Sequence, residues 1–315
     1  MNRKSAFAKK LGDVLPRIPK PKSKAKAKAK AKDMVPALSK RQSQLINLAG
    51  AVTEQTPEEA DELGFMSRLL IMVNLPYREL ADDRKVWIRR NGKISIVVAA
   101  AYDKDGISLG IPYGAYPRLI LAYLVTQAVK TESPIIYLGK SFSQFLTLLN
   151  VKKGGKTYKQ INKQIKRTLS ASFSWIYETN NTQSRTNIQV SHQSNLWWDE
   201  KDPDQQSLWE NYIKLNTDFF NEIIRHAVPL DLRVLGILKN SPLGLDLYMF
   251  ISWRVYKIDK PVFISWASLQ QQLGGQYADL KEFSRKCRMH INHIQTLRPD
   301  LNINFVKGRL CLKPT

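Results

Sequence analysis

The 315-residue chain is poor in three things: cysteine, with only Cys287 and Cys311; histidine, with four; and acid, with 27 Asp/Glu against 49 Lys/Arg. Two cysteines cannot build a disulfide framework, so the expectation is a reducing compartment and a core held by packing. No apolar run approaches the roughly 18–20 residues that span a bilayer. The basic N-terminus has no apolar stretch after it, unlike a secretory signal, and its lysines differ from the arginine and serine of a mitochondrial presequence. These absences point to a cytoplasmic protein without a membrane partner. The shortage of acid leaves a net charge of +22, which favours a polyanion such as nucleic acid. Core-forming residues are plentiful, at 43% hydrophobic and 10% aromatic, and the length suits two ordinary domains.

Recognisable catalytic chemistry is also missing. Gly154-Gly155-Lys156-Thr157 resembles the end of a phosphate-binding loop, but Asn150 stands where the motif needs its first glycine, and a helix is expected before it where the motif needs a strand. Cys287, His290 and His293 have ligand-like spacing, yet the first two share an apolar helical arc and a zinc site needs three or four converging groups. His192 and His226 stand alone, so the paired histidines of a nickase are absent, and no serine or cysteine triad emerges. We expect no enzyme, no metal and no cofactor.

The charge is unevenly spread. Residues 1–45 hold 14 Lys/Arg and two Asp/Glu, with lysine and alanine alternating from Lys24 to Lys32. Self-repulsion and the early prolines Pro16, Pro19 and Pro21 predict a disordered basic tail. An acidic stretch from Glu54 to Glu62 is expected on a short helix. Leu70-Ile71-Met72-Val73 reads as a strand, and Val86–Arg89 with Lys93–Ala99 as a hairpin around Asn91-Gly92. Pro117 opens a helix whose stripe is Leu119, Ile120, Tyr123, Leu124 and Ala128. Asp199-Glu200-Lys201-Asp202-Pro203-Asp204 interrupts all periodicity and reads as a solvated linker. Beyond it, a strand is expected at Tyr212–Leu215, helices near Asp218–His226 and Asp231–Lys239, an apolar helix at Leu243–Val255, and a closing hairpin around Gly308.

One pattern occurs twice, 124 residues apart. Ile135-Ile136-Tyr137 is followed by Ser141-Phe142-Ser143-Gln144-Phe145, a glycine turn and a basic amphipathic helix. Val262-Phe263-Ile264 is followed by Ser265-Trp266-Ala267-Ser268-Leu269, Gly274-Gly275 and a second such helix. Strand, capped helix, turn and charged helix outline a winged helix-turn-helix. The expected fold is therefore α+β: two tandem winged-helix domains with small β-hairpins, preceded by a disordered basic tail. The boundaries read as a tail at 1–45, an N-terminal domain with a hairpin extension at 46–198, an acidic linker at 199–207 and a C-terminal domain at 208–315.

In the first basic helix, Ile161, Ile165, Thr168 and Leu169 share one arc at 100° per residue. Lys156, Lys159, Lys163, Lys166 and Arg167 lie opposite, with Lys152 and Lys153 in the turn before, and no acid between Val151 and Ser172. A merely soluble helix usually mixes signs to gain i,i+4 pairs; a phosphate-lined groove would compensate for their absence. The second helix opens at Asp279 with Glu282 three residues on. Phe283, Cys287, His290, Ile291 and Ile294 form its apolar arc, and Lys281, Arg285, Arg288 and Asn292 the other. Arginine reads guanine and asparagine adenine, so this face suits base reading where the lysine face suits phosphate anchoring.

Pro112-Tyr113-Gly114-Ala115-Tyr116-Pro117-Arg118-Leu119-Ile120-Leu121, Thr126-Gln127-Ala128-Val129, Leu138-Gly139-Lys140-Ser141-Phe142-Ser143-Gln144-Phe145-Leu146 and Ser241-Pro242-Leu243-Gly244-Leu245-Asp246-Leu247-Tyr248 resemble segments of the plasmid-encoded RepA replication initiator family. The resemblance covers roughly residues 65–315 and leaves the tail unexplained. It implies a protein that binds directly repeated double-stranded DNA sites at a plasmid origin, helps to melt adjacent DNA and recruits the host initiator and replicative helicase, with a homodimer as a copy-number brake. A transcriptional repressor is the alternative in the same class; a helicase or nickase is the alternative among enzymes.

Overall fold

The computed structural model describes residues 40–72, 74–199 and 201–314. Most of the expected tail lies outside the described residues, and its last part is the start of helix α1, Lys40–Glu54. Residues 44–315 form one compact unit, a mixed α+β assembly of helices and four antiparallel sheets.

Strand β1 (Leu63–Ser67) precedes a short helix α2 (Arg68–Met72). The strand expected over Leu70–Val73 is therefore corrected, since Leu70–Met72 lie in the helix: four apolar residues in a row fit either structure, and periodicity cannot arbitrate so short a run. The acidic stretch is a turn, not a helix. Thr56 and Glu59 exchange bonds, with Thr56 N donating to Glu59 Oε2 at 2.8 Å and Glu59 N to Thr56 Oγ1 at 3.2 Å, but the turn ends at Asp61 in the left-handed region. Strands β2 (Val86–Asn91) and β3 (Ile94–Ala99) make the expected hairpin, with Gly92 supplying φ 60° at its tip.

Helix α3 (Ala115–Thr131) leads to β4 (Ile135–Tyr137), α4 (Phe142–Leu148) and α5 (Gly155–Ser170). Strands β5 (Ser172–Glu178), β6 (Gln183–Gln189), β7 (Ser191–Asn195) and β8 (Tyr212–Leu215) follow. The chain then runs through α6 (Thr217–His226), β9 (Ala227–Asp231), α7 (Leu232–Leu238) and α8 (Pro242–Lys257). It ends with β10 (Val262–Ser265), α9 (Trp266–Leu273), α10 (Leu280–Leu297), β11 (Ile303–Val306) and β12 (Arg309–Leu312).

The two copies of the repeat close equivalent sheets. The orders are β4-β8-β7 and β10-β12-β11, in each case the strand before the paired helices, then the last strand, then the middle one. A larger sheet has the order β2-β3-β5-β6. Trp87, Val98, Phe173 and Ile188 form one row across its four strands and are all buried, as a period of two requires. The acidic segment expected as a linker lies between β7 and β8, neighbours in one sheet. Strand β9 likewise returns to pair with β1.

Helices α3 and α8 are the central supports, each buried on nearly all sides. Leu119, Ile120, Leu121, Leu124 and Val125 of α3, and Leu245, Leu247, Tyr248, Phe250 and Ile251 of α8, are at most 7% exposed. Each such side chain contributes about 1.5–3 kcal/mol of burial.

Candidate nucleic-acid interface

In the first copy, Ser141 caps α4: its Oγ accepts from Gln144 N at 3.2 Å, while Gln144 Oε1 accepts from Lys140 N at 2.8 Å. Phe142 is buried beneath the helix. The turn into α5 passes through Asn150 at φ 52°. Along α5, Ile161, Ile165, Thr168 and Leu169 are buried, and Lys156, Lys159, Lys163 and Lys166 are exposed, as are Lys152 and Lys153 in the turn. Lys153 Nζ lies 4.0 Å from Asp204.

Arg167 departs from the helical wheel. It is buried: its Nε donates to Leu109 O at 2.5 Å, one Nη to Ile111 O at 3.4 Å and the other to Glu79 at 2.8 Å. The wheel puts its Cα on the basic side, but residues 79–111 cross that end of the helix and take the guanidinium inward. Glu79 is the hub of this crossing. Its carboxylate also accepts from Lys163 Nζ at 2.8 Å and from Tyr113 OH at 3.1 Å. Partial burial favours the neutral acid, but the bonds from Lys163, Arg167 and Tyr113 outweigh it and hold the pKa down to about 2. Among the expected cations, then, Lys152, Lys153, Lys156, Lys159 and Lys166 reach solvent without Glu79, Lys163 shares it, and Arg167 serves the interior.

In the second copy, Ser265 caps α9 through Ser268 N at 3.0 Å, and Asp279 caps α10 through Lys281 N at 2.9 Å and Glu282 N at 3.3 Å. Phe283, Cys287, His290, Ile291 and Ile294 are buried; Lys281, Arg285 and Asn292 are exposed. Burial pushes the Cys287 thiol up, as an apolar packing residue would show. Arg288 is half-buried, with its guanidinium 4.9 Å from the ring centroids of both Trp266 and Phe305. That stacking fixes its stem between α10 and the closing hairpin.

The two copies are fastened together by residues that no helical face or spacing in the sequence singles out. Arg118 of α3 and Asp246 of α8 form a buried bidentate pair at 2.6 and 2.7 Å. The guanidinium also donates to the carbonyls of Leu75 at 2.8 Å and Gly114 at 2.5 Å, and lies over Tyr77. The turn between α9 and α10 is pinned to the segment after α2. Asn74 Nδ2 and Tyr77 OH both donate to Leu273 O, at 3.0 and 2.5 Å, and Gln276 Oε1 accepts from the amides of Tyr77 and Arg78 at 2.8 Å each. Arg89 of β2 donates to Gln270 O at 3.1 Å and to Gln271 O. A Cβ at Gly275 would stand 2.8 Å from the Arg89 guanidinium and 3.0 Å from the Trp87 ring, so a larger residue there would displace the arginine.

The family described as plasmid-encoded RepA protein matches residues 111–268, just over half of the sequence. The chain belongs to the plasmid-encoded RepA family. The match runs from the approach to α3 to the opening of α9, so it takes in the whole first copy and stops short of α10. No curated protein matches this RepA-family chain. Among solved structures it is similar to the crystallised selenomethionine derivatives of domains 2 and 3 of RctB, at 14% identity, with 79% of this chain and 96% of that chain covered and a TM-score of 0.50. A second structure of RctB domains 2–3 covers 78% and 96%, at 14% identity and a TM-score of 0.49. At this identity the first likeness concerns the fold alone. Both halves of the Arg118–Asp246 pair lie in segments that carry the RepA resemblance, which gives those motifs a structural reason: one ion pair joins them.

Proposed function

We propose that this RepA-family protein is a plasmid replication initiator that grips directly repeated double-stranded DNA sites at its origin through two winged-helix units. The units are α3 to α5 with β4, β7 and β8, and α8 to α10 with β10 to β12. It acts by binding, without catalysis or cofactor: it deforms the origin, helps to open it and brings host replication proteins to it, in the cytoplasm. The basic tail over residues 1–45 adds sequence-independent attraction.

The observation that carries this reading is the equivalence of α5 and α10. Each follows a capped helix and a turn, buries one apolar face and turns cations to solvent on the other. Lys152, Lys153, Lys156, Lys159 and Lys166 suit phosphate anchoring, with Lys163 shared with Glu79; Lys281, Arg285 and Asn292 suit anchoring and base reading. Arg167 and Arg288 act from behind these faces, by holding loop and hairpin in place. Two such helices in successive major grooves would cover roughly 20 bp, since adjacent sites recur every ~10 bp.

The test is a footprint on the DNA flanking the gene, with Lys159→Glu and Arg285→Glu. Both side chains are exposed, so the fold survives, and neither substitution disturbs Glu79, as Lys163→Glu would. Each should erase protection over its own half-site. Wild-type protection from both variants, or no protected repeat at all, refutes the reading.

A further inference from the structure

The segment between β7 and β8 is an acidic stretch on a basic chain, as is the stretch at residues 54–62. Residues 199–210 hold five acids and one lysine in a chain of net charge +22. Leu208 and Trp209 within it are 97% and 66% exposed, and Trp197 just before it is 55% exposed. It is not slack. Trp197 N donates to Asn211 Oδ1 at 2.6 Å, and Asn211 Nδ2 to Gly139 O at 3.2 Å. In the middle, Ser143 N donates to Pro203 O at 2.9 Å and Ser207 N to Lys140 O at 2.8 Å. Trp198 stacks on Phe142 and Phe145 with centroids 4.7 and 5.1 Å apart. A backbone tied down at its ends and centre therefore holds two tryptophans and a leucine outward around a cleft of about 470 Å³.

Preorganised aromatic surface is what hot spots in protein interfaces are made of, and apolar side chains grouped around one cleft and rimmed by polar residues mark an interaction site where singly exposed ones would not. The charge decides what. Asp199, Asp202, Asp204 and Glu210 repel phosphate, so the surface is unsuited to stacking nucleic-acid bases despite its tryptophans. It is complementary to a segment bearing cations beside apolar side chains. A second copy of the chain would have to bring its own cations: among the described residues the exposed clusters are on α5 and α10, the faces assigned to DNA, and the lysine–alanine run at Lys24–Lys32 carries no large apolar side chain to meet the tryptophans.

We propose that residues 196–199 and 201–210 form the docking surface for a basic amphipathic segment of another protein. It rests on the recruiting role proposed above, not on the two DNA faces. Trp197, Leu208 and Trp209 take the apolar side chains of that segment, and the surrounding carboxylates take its lysines or arginines. Because Pro203 and Ser207 are bonded to the opening of α4, a partner seated here stands beside the first DNA face.

The full chain is titrated with a leucine–lysine amphipathic peptide, with its lysine-to-glutamate counterpart and with oligothymidylate, followed by tryptophan fluorescence. The lysine peptide should bind and blue-shift the emission. Trp197→Ala and Trp209→Ala should each weaken it about tenfold or more, and Asp202→Lys should weaken it and flatten its salt dependence. All three side chains are exposed, and the two tryptophan variants, which change no charge, should keep the parent's duplex-DNA affinity. Four results overturn the proposal: peptide binding unaffected by both tryptophan variants; equal binding of the glutamate peptide; oligothymidylate binding that the tryptophan variants abolish; or self-association in sedimentation that they abolish while the lysine peptide fails to bind. Peptide binding that persists while every duplex footprint fails supports this surface and sinks only the DNA reading.

Discussion

Arg118 and Asp246 offer the sharpest test of how the two copies are held as one body. Their side chains are 3% and 7% exposed, so each charge is balanced by the other and not by water. Removing one partner of such a pair costs about 3–5 kcal/mol, because the remaining charge is stranded in the interior. The two removals are unequal. Asp246→Asn leaves the guanidinium with the carbonyls of Leu75 and Gly114. Arg118→Met leaves the carboxylate without the only donor it has among the described residues, so this variant should sit at the upper end. At ~2–4 °C per kcal/mol for a unit of this size, the midpoint should fall by roughly 10 °C. The double variant Arg118→Met/Asp246→Leu should recover most of the loss, since no charge is then buried alone. Calorimetry and urea titration of the four proteins measure this directly. Single-variant losses below about 1 kcal/mol, or a double variant no better than the worse single one, would refute the assignment of a dry, mutually dependent pair.

Three further outcomes follow from particular groups. Glu79 has its folded pKa depressed to about 2 by Lys163, Arg167 and Tyr113, so its contribution is complete above the unfolded value near 4.5 and is lost as pH falls from there towards 2; acid titration of Glu79→Gln should lack that portion of the decline. Removing residues 1–39 should flatten the salt dependence of DNA binding by about 0.9 in log–log slope for each phosphate that the tail neutralises, while the footprint keeps its limits; a changed footprint would mean that the tail reads sequence. Cys287 and Cys311 are buried and free, so an aromatic disulfide reagent at neutral pH should modify neither until the protein unfolds, and fast modification of Cys287 in the native protein would contradict its place in the apolar arc of α10.

Much of the architecture is legible along the chain because it is written in local chemistry. The hairpin at Asn91-Gly92, the caps at Ser141, Ser265 and Asp279, the helix from Pro242 and the apolar arcs of α5 and α10 all follow from spacing and from side chains that bond within a few residues. The errors lie where local signals are weak. Leu70–Met72 is too short for its period to count. Strands β5 to β7 escape a reading by period because the polar run of β6 hides its single inward residue, Ile188. The alternation of Phe173 and Trp175 is the signal that would find β5. The acid-rich stretch at 199–207 reads as a linker because acids around a proline say only that the backbone is exposed.

The amino-acid sequence by itself determined that this chain is basic, duplicated and carries two amphipathic cationic helices, because charge and period are properties of neighbours. Only the tertiary structure decided which cations face outward. Arg167 turned inward because residues 79–111 cross its helix, and no spacing within α5 records a segment arriving from elsewhere. The same holds for the bond between Arg118 and Asp246, 128 residues apart, and for the tryptophans that line the cleft between β7 and β8. Contacts of that kind are made by chain closure and burial, where the energy of a charge or a ring depends on what packs against it and not on what precedes it.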